Sequence, residues 1–171
     1  VEFSADDSGE PEARVMRALE GSLVRIRKAH PKADIILVHA PSAGTMPDLL
    51  AGRIPASVQW HERLAEHFGL ASVHAGAYLA GKILGGECTR SDVFTDQGEL
   101  TEKGHILIAE AVEFLIVAES ERPPLEVTAR KVPTALSERA MTSAELVPYE
   151  RAELQAGWLG WQESPLSRFF H

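Results

Sequence analysis

The sequence holds one cysteine, Cys88, among 171 residues. No internal disulfide can form, and the cysteine count leaves the redox compartment open. Cys88 follows Gly85, Gly86 and Glu87 in a loop-like stretch and reads as an ordinary thiol, because a nucleophilic cysteine needs a partnered base. No run of about 18 apolar residues is present, so no segment reads as a membrane-spanning helix. There is no Lys/Arg cluster. A net charge of -8 and a pI near 5.4 argue against a nucleic-acid backbone as partner. Gly52, Gly81, Gly85 and Gly86 do not fall into a phosphate-binding loop of either common pattern. His61, Glu62 and His67 do not make a zinc helix. That motif sets its histidines four residues apart on one face, and here the wider spacing carries the second well round the helix. These three residues therefore read as a solvated helix face.

What is present is the composition of a globular domain. Hydrophobic residues make up 44% and charged residues 25%, at a length suited to one domain. Residues Val1 to Ala5 read as a short strand, with Val1-Glu2-Phe3 resembling mid-strand sequence and no signal peptide in view. A helix is expected from Pro11, with Val15, Leu19, Leu23 and Ile26 as its apolar stripe and Arg14, Arg17, Arg25 and Arg27 among its polar positions. His30-Pro31 ends it. The run Asp34 to His39 suits a strand covered on both faces. A loop from Pro41 to Pro55 leads to a helix ending at Phe68, with Gly69 as its stop. Leu70 to His74 reads as a third strand, Gly76 to Leu84 as a helix, and 87–100 as loop. Thr101 is a helix N-cap, and Ile106 to Ala118 an apolar helix that should pack on the sheet.

Strand and helix thus alternate from Val1 to Ala118, the pattern of a parallel α/β sheet. Ligands in such sheets bind beyond the carboxyl ends of the strands. The residues there are Asp6, Asp7, His39 and His74, and the loop from Asp92 to Leu100 should reach the same edge. Three strands leave a bare sheet edge, so further polypeptide upstream, or a partner chain, is expected to complete it. From Ser120 the character changes: Glu121-Arg122-Pro123-Pro124 has linker composition. Residues 119–171 read as the lead into a second domain or a strap across the first, with Trp158, Trp161, Phe169 and Phe170 wanting burial.

Two segments carry a family likeness. The first is VEFSADDSG (1–9), followed by a helix and HPKADIILVH (30–39). The second is DQGELTEKGH (96–105), followed by an apolar helix. In order and separation they resemble the later part of an SGNH (GDSL-type) hydrolase domain. The resemblance covers 1–118 and implies a flavodoxin-like parallel sheet. It also implies hydrolysis of carboxylic esters, with carbohydrate acetyl esters as one class, and no metal or organic cofactor. It sets Asp96 at the triad acid, Glu99 at the triad histidine, and Asp6 at the asparagine that stabilises the oxyanion. His39, His74 and Asp7 are then candidates for substrate binding, His39 or His74 for a substitute base.

The departures have chemical weight. The family's Gly-Asp-Ser block and second glycine block are absent. Ser8 sits in Asp7-Ser8-Gly9 but lacks the preceding glycine, and suits a turn or helix cap. A glutamate, ordinarily near pKa 4.3, is a weak base for a serine hydroxyl. An ionised aspartate offers an oxyanion only acceptors, and losing one oxyanion donor costs about 10²–10³ in rate. A catalytically silent homologue that binds a ligand or serves as a scaffold is therefore the alternative. His105 belongs to the helix start in this reading.

Overall fold

The computed structural model describes residues 1–123, 126–138 and 140–142. A 3-10 turn at Asp6–Gly9 precedes α1 (Glu12–Ala29). Then come β1 (Ile36–Val38), α2 (Met46–Leu50), α3 (Ala56–Phe68), β2 (Ala71–Val73), α4 (Ala75–Leu84), α5 (Arg90–Val93) and α6 (Glu102–Ser120). β1 and β2 pair in parallel, Leu37 opposite Ser72, with α2 and α3 in the crossover. The coarse class is α/β. Pro148, Trp158, Trp161, Pro165, Phe169 and Phe170 lie outside the described residues, and with them most of the expected extension.

Two strands form among the described residues, where three are expected. The first of the three is reduced to a single rung. The Val1 amino group donates to Ile36 O at 2.8 Å and Val38 N donates to Val1 O at 2.9 Å, the parallel pattern for one residue. Beyond it the chain bends, as Asp7 N donates to Phe3 O and Ser8 N to Ala5 O. Local bonding of this short polar stretch outcompetes a ladder. The expected loops also contain structure. Pro47 opens α2, and a capping box between Thr89 and Asp92 starts α5.

The sheet lies between helices. Leu37, fully buried, faces α1 and α3 with Met16, Leu19, Leu23, Leu64 and Phe68. Ile36 and Val38 face the other way, toward α6, where Val73 packs on Ala111. A second cluster joins α2, α4, α5 and α6 through Met46, Leu79, Val93 and Leu107, and takes in Cys88. The stripe expected on α1 is the buried one, but two charged residues are buried with it. Arg27, expected at a polar position, is 1% exposed, and its Nη1 donates to Ala33 O at 2.9 Å, which closes the turn into β1. Glu20 accepts the backbone N–H groups of Leu136 (2.6 Å) and Ser137 (2.8 Å). With Met141 N bonded to Arg17 O and His67 to Thr134 O, these contacts lay Thr134, Leu136, Ser137 and Met141 across α1 and α3. Gly21 permits it, because a Cβ there would stand 2.8 Å from the Met141 carbonyl oxygen.

Gly69 ends α3 in the left-handed conformation (φ 60°, ψ 46°), which glycine adopts without Cβ strain. Thr101 caps α6 by accepting from Gly104 N at 3.1 Å. The helix is longer than its apolar core and packs by one face only. Gly104, Leu107 and Ala111 are buried, while Ile106, Phe114, Ile116 and Val117 are exposed. No helix among the described residues is long and apolar enough to cross a membrane.

Candidate functional site

The parallel pairing of β1 and β2 brings His39 and His74 to one edge, each the residue after its strand. His39 N donates to Val73 O at 2.8 Å, so the ladder runs up to the histidine itself. His39 is fully buried. Its Nε2 meets Glu62 Oε1 at 2.5 Å, and Ser72 Oγ donates to the other oxygen of Glu62 at 3.1 Å. His74 is the N-cap of α4, where its Nδ1 accepts from Ala77 N at 3.0 Å.

A third imidazole completes the cluster. The His61 ring centroid lies 5.8 Å from that of His39, and the His74 centroid 5.9 Å from it on another side. His61 is 2% exposed, which corrects the expectation of a solvated face. The reason is its place in the helix. Val58, His61, Leu64, Ala65 and Phe68 follow three- and four-residue spacing, so His61 stands on the buried stripe of α3. Its Nε2 meets Asp7 Oδ2 at 2.7 Å, and Ser57 Oγ donates to Ser4 O at 2.7 Å. These two bonds pin the N-terminal turn to α3. Asp7, expected to bind substrate, is thus engaged with His61.

The other expected site residues stand apart from these bonds. Asp6 is exposed, and no side-chain hydrogen bond joins it to another described residue. Asp96 and Glu99 are exposed on a tight hairpin. Thr95 N donates to Glu99 O at 2.8 Å and Gly98 N to Thr95 O at 2.9 Å, with Gly98 at φ 84° and Phe94 bridged to Leu100. This places Asp96 at the turn with its side chain in an open groove of about 590 Å³, shared with Ala43, Arg90, Ser91, Thr95 and Gln97. The hairpin reaches the end of β1 through Ala43. A Cβ at Gly98 would stand 3.1 Å from that of Ala43, and Arg90 Nη2 donates to Ala43 O at 3.4 Å. Among the described residues no hydrogen bond links Asp96 or Glu99 to Asp6, His39, His61 or His74. Ser8 is exposed in the 3-10 turn and His105 is exposed in the first turn of α6.

His61, Glu62 and Ser72 are the members of the cluster that sequence reasoning did not single out as site residues. The helical spacing carried the signal for His61. Glu62 and Ser72 had none, because their meeting depends on how α3 crosses the sheet. Among the described residues no group of three or more His, Cys, Asp and Glu side chains is arranged to hold a metal ion.

Burial pushes His39 below its usual 6.5, against the raising effect of the Glu62 carboxylate, and the neighbouring His61 and His74 lower it further. Burial likewise lowers His74, opposed by its backbone hydrogen bond and by Glu62. Both imidazoles are therefore favoured in the neutral form. The unfolded chain takes up protons near 6.5, whereas the folded protein accepts them only at lower pH. Stability should accordingly fall as pH drops below about 6.5. The urea midpoint is expected to be lower at about pH 5.5 than at about pH 7.5. A midpoint that is unchanged or higher in acid would mean that these histidines are cationic in the folded protein.

Comparison of the chain with family models, curated proteins and solved structures finds no match.

Proposed function

We propose that the chain is part of an SGNH-type, flavodoxin-like α/β domain that binds a carboxylic ester at the carboxyl edge of its sheet, without hydrolysing it through the Asp96–Glu99 hairpin. A carbohydrate acetyl ester is the substrate class that the family likeness suggests, on analogy alone. The observation that carries this reading is the state of that hairpin. A triad needs its base hydrogen-bonded to an orienting acid and within reach of the nucleophile. Here the carboxylates at the acid and base positions are both exposed, and no hydrogen bond joins either to a histidine among the described residues. Asp6, at the oxyanion position, is an exposed acceptor whose side chain makes no hydrogen bond among the described residues. The buried polar groups of the edge belong instead to the histidine cluster. Buried imidazoles joined to part-exposed carboxylates suit recognition of a polar ligand.

The test uses the protein mixed with p-nitrophenyl acetate, and separately with a fluorophosphonate serine probe followed by intact mass spectrometry. No turnover above buffer and no covalent adduct are expected. A serine adduct together with turnover would overturn the reading.

The second reading is an active ester hydrolase with its nucleophile outside this sequence. It draws support from Asp96 lining a groove with Ala43, in the loop that follows β1. Exchanging Glu99→His and Asp6→Asn in the complete protein separates the two. Under the first reading the native protein is inert and the exchange is needed before any hydrolysis appears. Under the second the native protein already hydrolyses acetyl esters.

A further inference from the structure

Two buried nitrogens at the strand ends have no partner, and they are of opposite kind. His39 Nδ1 and His74 Nε2 are both enclosed and both unbonded among the described residues. The bonds on the far side of each ring fix its tautomer. Glu62 can only accept from His39 Nε2, so that nitrogen carries the proton and the neutral ring leaves Nδ1 as a bare acceptor. Ala77 N donates to His74 Nδ1, so Nδ1 is the lone-pair nitrogen and Nε2 carries the proton. A buried acceptor and a buried donor thus sit on neighbouring rings. The ring centroids lie 5.9 Å apart with the planes inclined at 71°, and no hydrogen bond joins the rings directly.

We propose that His39 Nδ1 and His74 Nε2 form a site for one hydroxyl oxygen, from a water molecule or from the alcohol group of a ligand. The hydroxyl donates to His39 Nδ1 and accepts from the N–H of His74. Centroids 5.9 Å apart are compatible with one oxygen bridging the two rings by hydrogen bonds of about 2.8 Å, and a hydroxyl is the smallest group that is donor and acceptor at once. A carboxylate would have nothing to offer Nδ1, and an ammonium nothing to offer the N–H. Glu62, itself held by Ser72, is the positioning residue that keeps the accepting nitrogen of His39 on the site. This inference rests on the two imidazoles and their bonds, and holds whether or not the ester reading does.

The experiment is long-range ¹H–¹⁵N correlation NMR of the histidine-labelled protein near pH 7.5, on the native chain and on His74→Asn. Asparagine retains a side-chain oxygen to cap α4, and its shorter amide group ends short of the place of the imidazole's distal N–H, so the fold is kept and the donor withdrawn from the site. The amide spectrum reports that the fold is intact. Both rings are expected to be neutral with the proton on Nε2. The His39 Nδ1 resonance should stand shifted toward the hydrogen-bonded range, and should move back toward the unbonded value in His74→Asn. A cationic His39, a His39 proton on Nδ1, or an Nδ1 resonance unmoved by His74→Asn would overturn the proposal. Methanol then distinguishes the sources. A saturable shift of both resonances supports a site that admits an alcohol. Unchanged resonances, with a persistent water cross-peak to the His74 N–H, support a resident water. With methanol inert and no water cross-peak, the proposal fails.

Discussion

Replacing Leu64 by alanine is expected to destabilise the fold by about 2–5 kcal/mol, the range for deleting a fully buried leucine from a close-packed core. Leu64 is 0% exposed and belongs to the cluster formed by Leu37, Leu19, Leu23, Ile35 and Phe68. The removed atoms lose their transfer free energy. The cavity left between α1, α3 and β1 can close only if one helix shifts, and α1 and α3 are both tied elsewhere. Ser57 and His61 hold α3 to the N-terminal turn, and Thr134 and Leu136 bond to α3 and α1 respectively. The effect should appear as a lower urea midpoint with little change in slope. Ile54→Ala is the control, since Ile54 is 54% exposed and such surface changes stay within about 0.5 kcal/mol. Equal effects at the two positions would mean that α3 does not pack on the sheet as described.

Glu62→Ala is expected to cost about 1–3 kcal/mol and to release the tautomer of His39. The substitution strips the partner from a buried imidazole N–H, and an unsatisfied buried donor costs about that much. Ser72 Oγ loses its acceptor as well. The Glu62 side chain is 43% exposed, so water enters part of the gap and the cost falls toward the lower end. Glu62→Gln separates acceptor from charge. Its amide oxygen still accepts from His39 Nε2, and the loss should be about 1 kcal/mol, the difference between a charged and a neutral hydrogen bond. Urea titration gives the stabilities and histidine NMR gives the tautomers. If Glu62→Ala keeps His39 protonated only on Nε2, some other group orients the ring. Equal losses in the two variants would show that the acceptor itself contributes nothing.

Much of the framework was legible because it depends on local pattern. The stripe Val15, Leu19, Leu23 fixed α1. His30-Pro31 marked its end, Gly69 the end of α3 and Thr101 the start of α6, each by a backbone requirement that one residue meets. The apolar run after Asp34 announced a strand covered on both faces, and Leu37 and Val38 face opposite sides of the sheet as that demands. The strand-end positions of His39 and His74 followed from the same reading. The N-terminal strand misled, because Val1 to Ala5 has strand composition while the bonds of Phe3 and Ala5 to the next residues turn the chain after a single rung.

The sequence by itself determined the alternation of helices with strands from α1 onward, the ends of α1 and α3 and the start of α6, and that His39 and His74 stand at strand ends. These follow from spacing and backbone preference within a few residues. Only the tertiary structure decided that Arg27 and Glu20 are buried and bonded, that His61 meets Asp7, and that Glu62 meets both His39 and Ser72. The same holds for Asp96 and Glu99, whose exposure on a hairpin depends on how Gly98 packs against Ala43. Each of these is a contact between residues distant in the chain. Its formation depends on the angle at which a helix crosses the sheet, and no local pattern encodes that angle.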